Sequence, residues 1–295
     1  MHEYLQPIYM KPIYIYLLPL LLAGCQQPKD KPDIYKDTPS QFITAGGTIT
    51  EIVYELGFGG QIIATDITST YPASMQELPS IGYRNQIKAE GILSLGADVV
   101  LAEVDYLSPE VIEQLKSAQV EVWVFEKPIK VEQTYQLIDE LSKYLEVPEK
   151  GQRLKLRLEQ DIQELESYKS AHPRNSKIAF VMARGPETVF LAGEKTFADE
   201  LFSLAGLENT AQGFDDFVPL SPEALISMNP EYLLLFESGL ATLGGKAGIS
   251  NINGVTETVA YKKKNIIAMD GHYISGFGPR VGKAALELAK AVNGE

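Results

Sequence analysis

One twelve-residue pattern occurs twice in this chain. Glu90-Gly-Ile-Leu-Ser-Leu-Gly-Ala-Asp-Val-Val-Leu101 returns as Glu223-Ala-Leu-Ile-Ser-Met-Asn-Pro-Glu-Tyr-Leu-Leu234, an offset of 223 − 90 = 133 residues. In each copy a glutamate opens a short helical pattern, and an acidic residue precedes an apolar run of strand length. A weaker echo relates Glu51-Ile52 and Leu56-Gly57 to Glu200-Leu201 and Ala205-Gly206. Between the copies, Pro148 to Ser170 is highly charged, has no glycine after Gly151, and carries Leu154, Leu158, Ile162 and Leu165 at helical spacing. At 1.5 Å per residue such a helix is a rod of roughly 30 Å. Periodicity alone also allows a surface helix inside one domain. A similar unit on each side of it favours a connector between two similarly built lobes.

The rest of the chain fits that plan. Apolar runs at Ile62–Ala64, Val99–Ala102, Val122–Phe125, Ile178–Met182, Tyr232–Phe236 and Ile266–Met269 predict buried strands. Helical patterns lie between them at Thr48–Leu56, Pro109–Ala118, Val131–Leu145, Phe197–Ala205 and Lys283–Val292. The alternation predicts an α/β fold of two Rossmann-like lobes, residues 41–146 and 172–295, joined by one long rigid α-helix at 147–171. A length of 295 residues suits two such units. Clefts between lobes are where small ligands bind. Gly57-Phe58-Gly59-Gly60 follows a helical pattern instead of opening one, so it reads as a helix stop sooner than a phosphate cradle.

The first 40 residues read as export signal and leash. Pro12 to Gly24 is an apolar run too short to span a bilayer, and Leu22-Ala23-Gly24-Cys25 resembles the bacterial lipobox, whose cysteine is lipidated. Residues 1–25 are accordingly expected to be a lipoprotein signal peptide, and 26–40, polar and rich in Pro, Lys and Asp, a flexible linker. Translation from Met10 would give the signal its positive start through Lys11. The alternative for Cys25 is an ordinary buried thiol. A lipidated Cys25 tethers the mature protein to a membrane of the cell envelope, outside the cytoplasm.

Composition removes several functions. A net charge of −13 and a pI near 4.8 repel nucleic acid. One cysteine, and three histidines (His2, His172, His272) without ligand spacing, do not make a zinc site. No nucleophile–base order or metalloprotease motif is present, which points away from an enzyme.

Four blocks carry a family resemblance: Thr44 to Tyr54, Asp66 to Ala73 (Asp-Ile-Thr-Ser-Thr-Tyr-Pro-Ala), Leu78 to Tyr83, and Asp270 to Arg280, which contains Gly-Phe-Gly-Pro-Arg. From Phe42 onward the chain resembles the haem-binding proteins that feed ABC importers, relatives of the cobalamin- and ferric-siderophore-binding proteins. The fold so implied is the helical-backbone periplasmic binding protein. The function implied is capture of Fe(III) haem in the cleft and delivery to an ABC permease dimer with its ATPase, by a monomer that performs no bond chemistry. A cobalamin or ferric-siderophore carrier is the alternative.

By resemblance Tyr71 is the axial ligand, and a phenolate is a hard oxygen donor suited to Fe(III). Arg84 is expected to reach the Tyr71 oxygen or a propionate, and Arg184 a propionate. Phe217 and Tyr273 are expected to stack on or flank the ring. Arg280 is expected to support a local turn or helix start, His172 to be exposed, and His272 to be a hydrogen-bonding surface residue. Glu90 and Glu223 open helices, where the helix dipole alone favours a carboxylate by roughly 0.3–1 kcal/mol. The resemblance implies that they also dock onto arginines of the two permease subunits.

Overall fold

A computed structural model describes residues 40–295 of the chain. The predicted signal peptide, nearly all of the linker and Cys25 lie outside them.

The N-terminal sheet is built by β1 (Phe42–Ala45), β2 (Ile62–Thr65), β3 (Val99–Glu103) and β4 (Glu121–Phe125), in the order β2-β1-β3-β4 with every pair parallel. Helices α1 (Gly47–Val53), α2 (Ala89–Leu95), α3 (Pro109–Ser117) and α4 (Val131–Tyr144) connect and cover it. Successive side chains of a strand face opposite sides, and β3 shows it. Val99 and Leu101 join one core with Ile49, Ile52 and Leu141, whereas Val100 and Ala102 join the other with Ile43, Ile92 and Leu115.

The C-terminal sheet contains β5 (Lys177–Ala183), β6 (Val189–Ala192), β7 (Glu208–Asn209), β8 (Phe217–Pro219), β9 (Tyr232–Phe236) and β10 (Ile266–Met269), in the order β10-β9-β5-β6-β8 with β7 also on β5. It is parallel through β10, β9, β5 and β7, and antiparallel where β6 and β8 extend it. Its helices are α6 (Phe197–Ala205), α7 (Pro222–Met228), α8 (Glu237–Thr242), α9 (Val259–Lys262), α10 (Gly271–Ser275) and α11 (Val281–Asn293).

Between the sheets runs α5 (Pro148–Ala171), 24 residues and so about 36 Å long. It belongs to both cores. Leu154 is buried with the N-terminal cluster, Leu158 and Leu165 with the C-terminal one. Two glycines let helices approach it closely: a Cβ on Gly151 would collide with Ser142 of α4, and one on Gly282 of α11 would lie 2.8 Å from Asp161 Cβ. Packed on both sides in this way, the helix is a strut, not a tether.

Three expectations need correction. Val122–Phe125 is a strand but not a buried one: as the edge strand β4 it leaves Trp123 44% and Val124 43% exposed. The helix expected to reach Leu56 ends at Val53, and a looser turn runs to Phe58 because Gly57 takes a left-handed φ of 90°. Strands β1, β6, β7 and β8 were not anticipated: each is only two to four residues long, which leaves too little pattern to read, even where, as in β1, all four residues are buried.

Candidate functional site

In a parallel sheet the loops after the strands converge at the carboxyl edge. Both sheets turn that edge to one cavity of about 560 Å³. Glu103 ends β3, Thr48 follows β1, and Lys127 follows β4; across from them Ala183 ends β5, Phe236 ends β9, and Asp270 follows β10.

The two walls differ in chemistry. On the C-terminal side Phe197, Phe217 and Phe236 face the cavity over the fully buried Phe180. Phe197 stacks on Phe236 at 5.6 Å, and Phe180 meets Phe236 edge-on at 4.8 Å. Such pairs contribute about 0.5–1.5 kcal/mol each beyond area burial, so the wall is preformed.

The N-terminal wall is polar and incompletely paired. Glu103 is 1% exposed; its Oε1 accepts from Thr48 N at 2.9 Å while Oε2 has no partner. Thr70 Oγ1 and Arg84 Nε are likewise buried and unpartnered. Burial pushes the Glu103 carboxyl up, and the opposing pull of Lys127 does not cancel it. The Lys127 ammonium is pushed down, again by burial first. Burial, then the Glu103 charge, also raises the Tyr106 phenol. Tyr106 therefore donates to Thr68 Oγ1 at 2.9 Å, and Thr68 in turn donates to Asp66.

Glu103 gives a pH prediction. Its folded pKa lies above the ordinary 4.5, so as pH rises from that value the unfolded chain releases this proton first and the fold loses stability. Glu103→Gln is expected to gain denaturant resistance over wild type as pH is raised from 4.5 to neutrality. A constant difference between the two across that range would contradict the assignment.

Asp66 explains the loop that carries Tyr71. At 2% exposure its carboxylate accepts from Gly46 N, Thr68 N and Ser69 Oγ at 2.7–2.9 Å. The Asp-Ile-Thr-Ser-Thr-Tyr segment is thereby tied to the β1–α1 turn. Tyr71, preceding Pro72 through a cis peptide bond, follows the lining residue Thr70 in the chain and is not itself one of the residues that line the cavity. The guanidinium of Arg280 sits 3.4 Å from its ring centroid.

Arg280 is the centre of an arrangement that sequence spacing does not reveal. It does occupy the N-cap of α11, yet its side chain makes a two-pronged contact with Glu51 of α1, at 2.8 Å and 2.9 Å. The second Glu51 oxygen also accepts from His272 Nε2 at 3.0 Å. Burial raises the Glu51 carboxyl, but the His272 and Arg280 hydrogen bonds and the Arg280 charge outweigh it, holding the group below the ordinary carboxylate range. Thr48 Oγ1 donates to Gly276 O and Thr134 Oγ1 to Phe277 O across the same seam. The Gly-Phe-Gly-Pro-Arg block now has a local reason. A Cβ on Gly276 would lie 2.7 Å from His272 O, one on Gly278 3.3 Å from Glu51 Oε2, and Phe277 between them is buried at φ 48°.

Of the residues singled out from sequence, Arg84, Arg184 and Phe217 line the cavity. Arg84 lies over Tyr83 at 5.7 Å and Tyr106 at 5.2 Å, so the cation against Tyr71 is Arg280 instead. Tyr273 does not line the cavity. Its ring lies 4.8 Å from the Arg280 guanidinium, and its hydroxyl donates to Glu287 at 3.0 Å. His272 is no surface residue: its side chain is 7% exposed and lines the cavity. His172 is exposed at the end of α5. Glu90 and Glu223 are exposed in the first turns of α2 and α7. No described helix is long and apolar enough to cross a membrane, and no cluster of three His, Cys, Asp or Glu among the described residues forms a metal cage.

Comparison with known proteins agrees with this geometry. The family model described as periplasmic binding protein matches residues 43–273. The uncharacterized ABC transporter substrate-binding lipoprotein YvrC of Bacillus subtilis (strain 168) is 24% identical over 302 residues, covering 94% of each chain. A vitamin B12-binding protein of Vibrio parahaemolyticus is 25% identical, covering 82% of this chain and 85% of its own. Among solved structures, the periplasmic haem-binding protein RhuT from Roseiflexus sp. RS-1, in apo form, superposes with a TM-score of 0.82 at 33% identity. Haem-binding BhuT, in complex with two haems, gives 0.81 at 31% identity. Each alignment covers 86% of this chain and 98% of the other. These relatives are binding proteins and not enzymes, and the chain belongs to the periplasmic binding protein family.

Proposed function

We propose that this chain is the extracytoplasmic substrate-binding component of an ABC importer, and that its ligand is Fe(III) haem. The observation that carries the reading is the two-faced cavity, aromatic on one wall and polar on the other, together with the Tyr71–Arg280 contact on the segment that follows the lining residue Thr70. Haem is a flat apolar disc with carboxylates on one side, and it needs an apolar wall opposite cationic donors. Phe197, Phe217 and Phe236 supply the wall; Arg84 and Arg184 supply cations for the propionates. Tyr71 supplies the oxygen for iron. Arg280, held by Glu51, places a fixed positive charge against the ring whose oxygen becomes anionic on coordination. Tyr273 acts through Arg280 and not on the ligand.

The haem-binding names of RhuT and BhuT support this choice. The vitamin B12-binding relatives favour cobalamin as the second reading. In the proposed arrangement Cys25 carries the lipid anchor, and Glu90 and Glu223 meet basic residues of a two-subunit permease.

Titrating the purified protein with hemin, cyanocobalamin and a ferric siderophore, followed by visible absorption, tests the ligand. Only hemin is expected to shift, and the end point measures how many haems the cleft holds. A cobalamin shift without a hemin shift would transfer the proposal to the corrin.

A further inference from the structure

The repeat holds more than its glutamates. Among the described residues Leu93 is 40% and Ile226 44% exposed, both unusual for large apolar side chains. Their separation is 226 − 93 = 133 residues, the same offset as Glu90 and Glu223. Each stands three positions after its glutamate, so the two side chains share a helix face. Ile92 and Leu225, both fully buried, and the half-buried Leu95 and Met228 fasten the helices to their lobes, while Leu93 and Ile226 turn outward. Gly91 and Ser94 in one copy, Ala224 and Ser227 in the other, are exposed and small, which leaves each apolar head standing clear. Both helices stop on a left-handed residue, Gly96 at φ 73° and Asn229 at φ 42°.

A single exposed leucine needs no explanation. Two at equivalent places, each beside an exposed carboxylate, form a pattern that neither lobe's own packing requires. Their setting is equivalent too. The helices lead into β3 and β9, whose last residues, Glu103 and Phe236, line the cavity.

We infer that Leu93 and Ile226 are paired apolar anchors, each entering a pocket rimmed by a cation on one half of a two-fold-symmetric partner, the membrane permease. This rests on the docking reading above. Two features point to that occupant: the carboxylates call for basic rims, and the repeat calls for a partner that is itself two-fold. Interfaces of this kind take most of their energy from apolar anchors, while charges steer approach and set register. The glutamates thus select the site, and Leu93 and Ile226 hold it.

The test uses full-length, hemin-loaded protein and its cognate permease with ATPase in lipid nanodiscs. Leu93→Ser or Ile226→Ser is expected to weaken binding about fivefold, and the two together roughly thirtyfold, mainly through faster dissociation. Hemin titration should be unchanged, which shows that the variants fold, and Leu93→Met with Ile226→Met should restore binding. If the serine pair binds like wild type while Glu90→Gln with Glu223→Gln does not, the anchors are refuted and glutamate docking stands. If both pairs bind like wild type, or wild type does not bind, docking falls as well. If the serine pair instead abolishes a concentration-dependent dimer in sedimentation, the occupant is a second copy and the inference is overturned.

Discussion

Tyr71→Ala is expected to lower hemin affinity at least about a hundredfold, or about 2.7 kcal/mol, and to erase the charge-transfer absorption of a tyrosinate-bound ferric haem. The aromatic wall and the cations would still hold the porphyrin, so weak binding should persist without the iron bond. Tyr71→Phe separates the oxygen from the ring. It keeps the face on which Arg280 lies and should lose the same band. Tyr273→Phe should keep it, because that hydroxyl is committed to Glu287 outside the cavity. A Tyr71→Phe protein with wild-type spectrum and affinity would remove Tyr71 from the site.

The second large effect concerns stability. Arg280→Met leaves Glu51, 2% exposed, with only the hydrogen bond from His272 in place of its guanidinium partner. Breaking a buried pair from one side costs about 3–5 kcal/mol, which for a chain of this size is a fall of roughly 10 °C in Tm. Its pH dependence has a definite sign. The folded pKa of Glu51 lies below 4.5, so the carboxylate's stabilisation is present above 4.5 and is lost as pH falls through the depressed folded value. The gap between wild type and Arg280→Met should therefore be wide near neutrality and narrow in acid. Replacing both partners, Glu51→Leu with Arg280→Met, should recover much of the loss, since no buried charge is left unpaired. Differential scanning calorimetry across pH reads all three proteins. A Tm for Arg280→Met within about 2 °C of wild type at neutral pH would show that this seam does not hold the lobes.

Buried pairing and exposed pairing should not be confused here. Lys195–Asp215 at the surface is as short as any ion pair in the C-terminal lobe, with side chains 77% and 55% exposed. Such pairs contribute little, because water screens them. The Glu51 seam differs because water cannot replace a lost partner.

Much of the scaffold was legible from residues alone. Runs such as Tyr232–Phe236 declare themselves because a parallel strand covered on both faces must be apolar at nearly every position. Leu154, Leu158 and Leu165 marked the long helix because one stripe of it is buried, and their assignment to two different cores followed only from packing. The repeat placed Glu90 and Glu223 on matching helices. The cavity was less legible. Arg84, Arg184 and Phe217 were found through family likeness, whereas Glu103, Lys127, Phe197 and Phe236 carry no spacing signal, each arriving at the cleft on a different element.

Local periodicity and the duplicated segment determined the α/β layers, the strut and the symmetric outer helices, because burial patterns of neighbouring residues are written in neighbouring positions. Tertiary structure alone decided what surrounds Tyr71. Glu51 lies 221 residues from His272 and 229 from Arg280, and nothing along the chain announces that they meet. Their contact is imposed by the meeting of two lobes, where a buried carboxylate must find donors, and Arg280 is thereby set against the ring of Tyr71.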